Sequence, residues 1–234
     1  MTTIEKNLQR VRERVDAACR AAGRDRDTVA VLAVSKTFGT LDITQAHTAG
    51  QIAFGENYIQ EAVQKITELR HLPLVWHCIG PIQSNKTRLV AEHFDWVHTV
   101  DRFKIAQRLS EQRPAQLPPL QICIQVNVDG GASKSGVPSE EALALAHQVA
   151  ALPNLRLRGV MSIPEPASDF TVACAVFAKV KAVFDDLNVN GLALDTLSMG
   201  MSADLEAAIE SGSTLVRVGT AIFGGRPSAI SATA

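Results

Sequence analysis

The chain has 234 residues, of which 46% are hydrophobic and 20% charged, and its formal net charge is -1. This length fits one large domain or two small ones, and the composition is ordinary for a soluble globular protein. A charge this close to zero gives no indication of a nucleic-acid or membrane partner. No apolar run approaches the roughly 20 residues of a membrane span, and the charged first segment has no apolar signal core.

The cysteines indicate a reducing compartment. Four are present, widely separated and without a CxxC pair, at Cys19, Cys78, Cys123 and Cys174. Cys78 and Cys123 lie within apolar runs, where a thiol behaves as a small hydrophobic group. This spacing argues against a disulfide framework and against a structural zinc site. We therefore expect a cytoplasmic protein that holds no metal.

The chain opens with a predicted helix over residues 1–23. Thr2-Thr3-Ile4-Glu5 has the sequence of a capping box. Gly23 is a suitable helix end. Between them the apolar residues keep helical spacing, at Ile4, Leu8, Val11, Val15 and Ala18.

Eight apolar runs typical of strands then alternate with amphipathic helices. The predicted strands are 29–34, 51–55, 74–80, 96–100, 121–128, 155–163, 196–199 and 215–218. Strict alternation favours right-handed crossovers and a parallel sheet. Eight such units in about 200 residues match the lower size limit of a (β/α)8 TIM barrel, so we predict this α/β fold with an extra N-terminal helix. A doubly wound open sheet is the alternative, but the first turn, SKTFGT, lacks the GxGxxG pattern.

We expect one domain over residues 1–234, because the best candidate linker, residues 113–119, is short. Residues 226–234 are predicted to form a flexible tail. Four helices are predicted to open on cap-type residues, namely Asp101, Ser139, Ser168 and Ser202.

Lys36 ends the first predicted strand, in the run VAVLAVSK. Burial there would disfavour its charged form and leave a free amine that can attack a carbonyl. The alternative is that Lys36 extends its ammonium group to water. Other polar and glycine residues also fall at predicted strand ends, where the active sites of such barrels lie. They include Glu56, Asn57, Gly80, Asp101, Asn127, Asp129 and Ser162.

Glycine and hydroxyl residues follow the last two predicted strands. LSMGMS (197–202) supplies Ser198 and Gly200, and VGTAIFGG (218–225) supplies Gly219 and Thr220. Phosphate sites in this architecture commonly use these two loops together with the amino end of a short helix. We therefore predict a phosphate site here, with ordinary turn glycines and helix caps as the alternative explanation.

Arg217 lies within the last predicted strand, where alternation points it into the barrel mouth. A guanidinium there needs an acceptor, and a buried ion pair is the alternative to a ligand. A reactive amine, a phosphate site and an arginine between them suit pyridoxal 5'-phosphate. Lys36 would react with the aldehyde and Arg217 would face the pyridine nitrogen. Because arginine does not readily give up a proton, that nitrogen would stay unprotonated and the cofactor would be a weak electron sink.

Several long segments, in order along nearly the whole chain, resemble the pyridoxal phosphate homeostasis proteins (YggS/PROSC type). They are LAVSKT (32–37), FGENYIQE (54–61), WHCIGPIQSNK (76–86), HTVDR (98–102), SKSG (133–136), LSMGMSADLEAAI (197–209) and VRVGTAIFG (216–224). The resemblance implies a monomeric barrel like the N-terminal domain of alanine racemase. It also implies a role in vitamin B6 and amino-acid homeostasis, with transient contact to enzymes that use pyridoxal phosphate.

The same resemblance implies roles for individual residues. Lys36 would hold pyridoxal phosphate as a Schiff base, and Arg217 would face the ring nitrogen. Asn57 would be a polar neighbour of the ring. The phosphate would contact Ser198, Gly200, Gly219 and Thr220. Cys78 departs from the family pattern, which usually has an aromatic residue there.

Three functions compete. The first is a non-catalytic carrier or regulator of pyridoxal phosphate. The second is an amino-acid racemase, which needs an acid–base group on each face of its substrate. Against it, the sequence has one tyrosine and ends about ten residues after Gly224. The third is an aldolase that uses Lys36 on a sugar phosphate, since one barrel hosts many chemistries, although the resemblance argues against it. Lys134 is either a second aldehyde-reactive amine or a solvated side chain.

Overall fold

A computed structural model describes residues 1–130 and 135–225. Eight parallel strands close into a barrel surrounded by helices, which confirms the predicted (β/α)8 fold with its N-terminal helix. The barrel strands are β1 (Ala30–Val34), β2 (Ala53–Glu56), β3 (Val75–Cys78), β4 (Trp96–Val100), β5 (Leu120–Asn127), β7 (Leu155–Met161), β8 (Thr196–Met201) and β9 (Leu215–Val218). A two-residue strand, β6 (Val137–Pro138), pairs only with β5.

Helices cover the outside of the barrel, and no helix in the described ranges is long and apolar enough to cross a bilayer. The helices are α1 (Thr3–Ala21), α2 (Thr40–Thr48), α3 (Ile59–Glu68), α4 (Thr87–His93), α5 (Phe103–Gln112), α6 (Ala142–Ala150), α7 (Phe170–Val189), α8 (Leu205–Glu210) and α9 (Thr220–Phe223). Lys134 and the predicted tail, 226–234, lie outside the described residues.

The barrel closes because β1 pairs with strands from both ends of the chain. Ala33 of β1 lies opposite Phe54 of β2 on one side and Val218 of β9 on the other. The ring is continuous through the β4–β5 pair, so the eight barrel strands have no free edge. Because every barrel strand is parallel to its neighbours, their carboxyl ends and the following loops meet at one rim.

The N-terminal helix begins with the predicted capping box. The Glu5 backbone N–H donates to Thr2 Oγ1, and the Thr2 N–H donates to Glu5 Oε2, both at 3.2 Å. The apolar stripe of α1, which includes Leu8 and Val15, is buried. Arg14 on the neighbouring face pairs with Glu206 of α8 at 2.9 Å. The apolar stripe and the ion pair of α1 therefore hold this helix against the C-terminal part of the chain, which completes the barrel.

The helix starts differ from the four predicted cap positions. At α7 the cap is Asp169 rather than Ser168, because the Asp169 carboxylate accepts the Val172 N–H at 2.9 Å. A carboxylate is a stronger acceptor than a hydroxyl, and here it is one residue closer to the helix. The other starts shift in the same direction: Asp101 precedes the cap Arg102, Ser202 precedes the cap Asp204, and Ser139 begins a 3-10 turn before α6.

Gly159 of β7 is required by the packing of two strands. Ile122 of β5 pairs with Leu157, whereas the next residue, Cys123, pairs with Gly159, so Arg158 is an extra residue at this point. A Cβ atom on Gly159 would lie 1.6 Å from the Thr196 carbonyl oxygen. The backbone of β8 thus occupies the space that any other side chain would need.

We expect Gly159→Ala to lower the free energy of unfolding by about 3 kcal/mol or more, because the methyl group overlaps backbone that cannot move without breaking strand pairing. Urea unfolding measures the loss. Gly225→Ala is the control, since nothing lies within 4 Å of the Cβ position there, and its effect should stay within about 0.5 kcal/mol. Equal stability of the two variants would contradict this account of the strand packing.

Candidate functional site

A cavity of about 270 Å³ opens at the carboxyl-end rim of the barrel. Its apolar walls are formed by Val34, Ile79, Ile163 and Met201. Five of the seven predicted site residues line it, namely Lys36, Asn57, Arg217, Gly219 and Thr220. The closed ring of strands therefore brings together residues from both halves of the sequence, as the strand-end pattern predicts.

Lys36 lies in the turn that follows β1 and is half-buried, whereas the preceding Ser35 is fully buried. Asn57 follows β2, the strand next to β1, and its Oδ1 atom is buried without a hydrogen-bond partner in the described structure. A buried amide oxygen without a partner is uncommon, because the lost contact with water is not replaced. Its place on the cavity wall fits a site that binds a polar ligand.

Arg217 is a buried cation on the cavity wall, with 4% of its surface exposed. Its guanidinium donates to the Ser198 carbonyl and Ser198 Oγ, both at 2.8 Å, and to the Ser162 carbonyl at 2.9 Å. Among the described residues no carboxylate forms an ion pair with it, so the expected alternative of a buried salt bridge is not found. Burial lowers the pKa of Arg217 to about 10, which leaves it charged at neutral pH. A buried cation with only neutral acceptors favours an anionic or electron-rich ligand.

Ser198 is fully buried and does not line the cavity, although the sequence predicts it at the phosphate. Its Oγ accepts from Arg217 and lies 3.0 Å from His98 Nδ1. His98 Nε2 in turn lies 2.9 Å from His77 Nδ1. If each bond carries one proton, the Ser198 hydroxyl donates to His98, and His98 donates to His77, which assigns the proton of each ring to Nε2. The Ser198 hydroxyl is therefore engaged inside the barrel.

Gly200 also lies outside the cavity lining, and its role is one of packing. Its φ is 93°, and a Cβ atom there would lie 2.4 Å from Ala208 Cβ. Glycine allows both the left-handed backbone and the close approach of α8. The turn brings Ser202 to the cavity wall instead. The sequence predicts Ser202 only as a helix start. Its position in LSMGMS, after Gly200, is the sequence feature that could have indicated a contact with a ligand.

The loop after β9 approaches the end of β1 closely. A Cβ atom on Gly219 would lie 3.3 Å from the Val34 carbonyl oxygen and 3.4 Å from Val34 Cβ. Thr220, the first residue of α9, is exposed on the cavity wall. These two residues thus offer a backbone N–H and a hydroxyl beside the loop that carries Ser202.

The interior histidines were not predicted to form a functional cluster. His77 stacks on Trp96, with ring centroids 5.3 Å apart, and lies beside His98. Within the described residues no group of three His, Cys, Asp or Glu side chains is placed to hold a metal ion. These histidines lie on neighbouring strands, β3 and β4, which pair with each other. The two side chains are in contact although they are 21 residues apart in sequence. Periodicity alone does not reveal such a pairing.

Comparisons with known proteins identify the family. The alanine racemase N-terminal domain family matches residues 4–227. A protein from Pseudomonas aeruginosa called pyridoxal phosphate homeostasis protein is 61% identical, and the match covers 97% of each chain. The chain belongs to the pyridoxal phosphate homeostasis family. This confirms the family to which the sequence segments point.

Two further proteins are similar to nearly the whole chain. The pyridoxal phosphate homeostasis protein of Escherichia coli is 52% identical over 97% of this chain and 98% of that one. PipY of Synechococcus elongatus, whose structure was solved with PLP bound, is 35% identical. It superposes with a TM-score of 0.82 over 94% of this chain and 100% of that one.

We expect Ser198→Ala to lower the free energy of unfolding by about 1–3 kcal/mol, because it removes one acceptor of buried Arg217 and leaves His98 Nδ1 without a donor. Urea unfolding checks this. The matched control is Ser168→Ala, whose hydroxyl is exposed, and its effect should be within about 0.5 kcal/mol. An unchanged stability of Ser198→Ala would show that the chain of hydrogen bonds contributes little.

Stability should also fall as the pH is lowered. Burial lowers the pKa of His77 to about 3 and that of His98 well below its usual 6.5. The unfolded chain takes up a proton on each histidine near pH 6.5, whereas the folded chain does not, so acid favours unfolding between about pH 6.5 and 3. His77 should cost about 1.4 kcal/mol per pH unit in this range, and His98 acts in the same direction.

Urea unfolding at several pH values between 5 and 7 tests this sign. Burial raises the pKa of Glu56, so this residue changes stability with pH in the opposite direction. The contribution of His77 is therefore measured as the difference between the native chain and a His77 variant. The slope of stability against pH should decrease by about 1.4 kcal/mol per unit in His77→Gln. The same slope in the variant and the native chain would exclude a neutral buried His77.

Proposed function

We propose that the chain binds pyridoxal 5'-phosphate in the rim cavity as a Schiff base on Lys36. In this proposal it acts as a carrier or regulator of the cofactor in vitamin B6 and amino-acid homeostasis. The observation that carries the proposal is the joint placement of the Lys36 amine, the buried Arg217 guanidinium and the Gly219–Thr220 turn on one cavity of about 270 Å³. The PLP bound to the related PipY supports it.

The cavity suits the three parts of this ligand. Its apolar side chains, such as Val34 and Ile79, can cover the faces of a flat ring. Hydroxyl and backbone N–H groups at Ser202, Gly219 and Thr220 would hold the phosphate. We thus propose Ser202 for the contact that the sequence predicts for Ser198. Arg217 would face the ring nitrogen, with Asn57 beside the ring.

Lys36 would form the covalent link without any oxidant or reductant. Its Nζ, in the free-amine form, adds to the aldehyde carbon, and the aldehyde oxygen leaves as water, so that a C=N bond replaces C=O. Hydrolysis reverses the step. Reversibility suits a protein that holds the cofactor and later releases it.

Arg217 would keep the bound cofactor weakly reactive. Pyridoxal phosphate supplies an electron sink when its ring nitrogen is protonated. The guanidinium keeps its own proton at neutral pH, since its pKa is about 10. It can therefore donate a hydrogen bond to the ring nitrogen but does not transfer a proton to it. The bound cofactor would therefore be a weaker electron sink than one with a protonated ring nitrogen.

A racemase would need a second acid–base group beside the ligand. Among the described residues that line the cavity, Lys36 and Arg217 are the only ones with an ionisable side chain. Tyr58, the single tyrosine of the sequence, is 53% exposed and lines a neighbouring cavity of about 670 Å³. These positions favour the carrier over the racemase.

We propose further that the chain acts as a monomer of one domain, residues 1–234, in the cytoplasm, where it makes transient contacts with enzymes that receive the cofactor. The four cysteines support this compartment: each is a free thiol, and burial raises the pKa of Cys78 and of Cys123 to about 12. Thiols of this kind are unreactive core groups rather than redox sites.

The first experiment is an absorption spectrum of the purified protein, followed by borohydride reduction and peptide mass mapping. We expect a yellow protein with the reduced pyridoxyl label on the Lys36 peptide. In Lys36→Ala the label should be lost and pyridoxal phosphate affinity should fall about 100-fold, or about 2.7 kcal/mol, because only the non-covalent contacts remain.

Lys86→Ala is the matched control, because Lys86 lines the neighbouring cavity and not this one. Its label and affinity should equal those of the native protein. A colourless native protein that takes up no added pyridoxal phosphate would overturn the proposal and favour the aldolase. An unchanged label in Lys36→Ala would place the covalent link on another amine.

A further inference from the structure

The turn that carries Lys36 has a strained backbone. Thr37 has a φ of 69°, in the left-handed region that β-branched residues rarely adopt. The turn is closed by a hydrogen bond from the Phe38 N–H to the Ser35 carbonyl at 3.0 Å. Such strain persists only where the surrounding structure holds it, and it is often found at functional sites. The groups that hold Thr37 in place are therefore of interest.

Two residues of α3 hold this turn from outside the cavity. The Thr37 N–H donates to Glu61 Oε1 at 3.0 Å. The ammonium group of Lys65 makes three contacts: with Glu61 Oε1 at 2.5 Å, with Glu56 Oε1 at 2.9 Å and with the Ser35 carbonyl at 3.0 Å. An ammonium group has three donors, and all three are used.

Glu56 completes this cluster beneath the turn. Its Oε1 accepts from Ser35 Oγ at 2.6 Å as well as from Lys65. Burial raises the pKa of Glu56, and the nearby Lys65 ammonium opposes that shift. Both residues adjacent to Lys36 are thus bonded to the cluster, Ser35 through its hydroxyl and carbonyl and Thr37 through its N–H.

The cost of the cluster indicates a role other than simple packing. The side chains of Lys65 and Glu56 are 7% and 0% exposed. Removing two charges from water is expensive, and an apolar pair of similar size often gives equal or greater stability. Glu61 is more accessible, at 35%, yet it holds the strained Thr37. An apolar pair in their place would lose the hydrogen bonds that these charged groups make with the turn of residues 35–38.

We propose that Glu61 and Lys65 are positioning residues that fix the turn of residues 35–38, and thereby set the approach of the Lys36 amine to an aldehyde. This inference rests on the proposed function of Lys36. Formation of the C=N bond requires the amine to reach the carbonyl carbon in a narrow range of directions, so a looser turn slows and weakens the covalent step. Non-covalent binding of the phosphate and ring uses other residues and does not require the turn.

Two ligands separate these effects. Pyridoxal 5'-phosphate has the aldehyde, and pyridoxine 5'-phosphate has an alcohol in its place and binds without a covalent link. In Glu61→Ala and in Lys65→Met we expect affinity for pyridoxal phosphate to fall about tenfold or more. Affinity for pyridoxine phosphate should change by less than about twofold.

Two further variants complete the set. Glu61→Gln should recover most of the affinity for pyridoxal phosphate, because its amide oxygen still accepts the Thr37 N–H. Glu68→Ala removes an exposed glutamate from the same helix and should behave as the native protein. If Lys65→Met fails to fold, Glu61→Ala decides the question, since Glu61 is partly exposed.

Hydrogen exchange of the cofactor-free protein gives a readout without any ligand. The amides of Thr37 and Phe38 should exchange at least about tenfold faster in Glu61→Ala than in Glu68→Ala, with the β1 amides unchanged. A general loss of stability would instead raise exchange throughout the barrel.

The inference is wrong if Glu61→Ala and Lys65→Met bind pyridoxal phosphate as the native protein does, or if both ligands weaken equally. It is also wrong if exchange at Thr37 and Phe38 is unchanged. These results differ from failure of the proposed function, in which the native protein itself forms no covalent link at Lys36.

Discussion

Closure of the parallel barrel is the constraint on which the site depends. The β1–β9 pairing joins the first strand to the last, with Ala30 opposite Leu215 and Ala33 opposite Val218. Since Lys36 follows β1 and Gly219 follows β9, this one pairing places the amine beside the turn proposed for phosphate binding. An open sheet could also make β1 and β9 neighbours, but closure through the β4–β5 pair brings the loops of the remaining strands to the same rim.

A chain of hydrogen-bonded polar side chains crosses the barrel interior and supports the cavity from below. It runs from Arg217 through Ser198 and His98 to His77, which stacks on Trp96. Beyond Trp96, Arg158 lies over the indole ring at 4.7 Å from its centroid and pairs with Asp195. Polar groups of this kind cost little when each has a partner, and they fix one arrangement more strictly than apolar side chains do. This chain of side chains holds the guanidinium at a defined place on the cavity wall.

Much of this arrangement follows from the sequence, because apolar runs and glycine positions are local signals. Seven of the eight predicted strands begin within one residue of the observed strands, and the capping box of α1 is present. Alternation within β9 correctly directs Arg217 toward the barrel mouth. Ser198 shows the limit of such reasoning. Its partner His98 is 100 residues away in sequence, and only the folded barrel reveals that the hydroxyl is already used. At α7 the predicted cap failed for a local reason, since the adjacent Asp169 carboxylate accepts the helix N–H, whereas the observed cap of α5, Arg102, makes no side-chain hydrogen bond to its helix.

The isolation of Arg217 has a consequence for the speed of ligand capture. The whole chain carries a formal charge of -1, so long-range attraction of an anion by the protein as a whole is negligible. The field that an incoming phosphate ester meets comes instead from groups on the cavity wall, where Lys36 and the buried Arg217 guanidinium both lie. No described carboxylate forms an ion pair with Arg217, although the charge of Asp204 acts on it. Mobile ions screen surface charges over about 8 Å at physiological ionic strength, but they reach a buried group poorly. Capture at the proposed site would thus be a short-range event, and its rate would depend only weakly on salt.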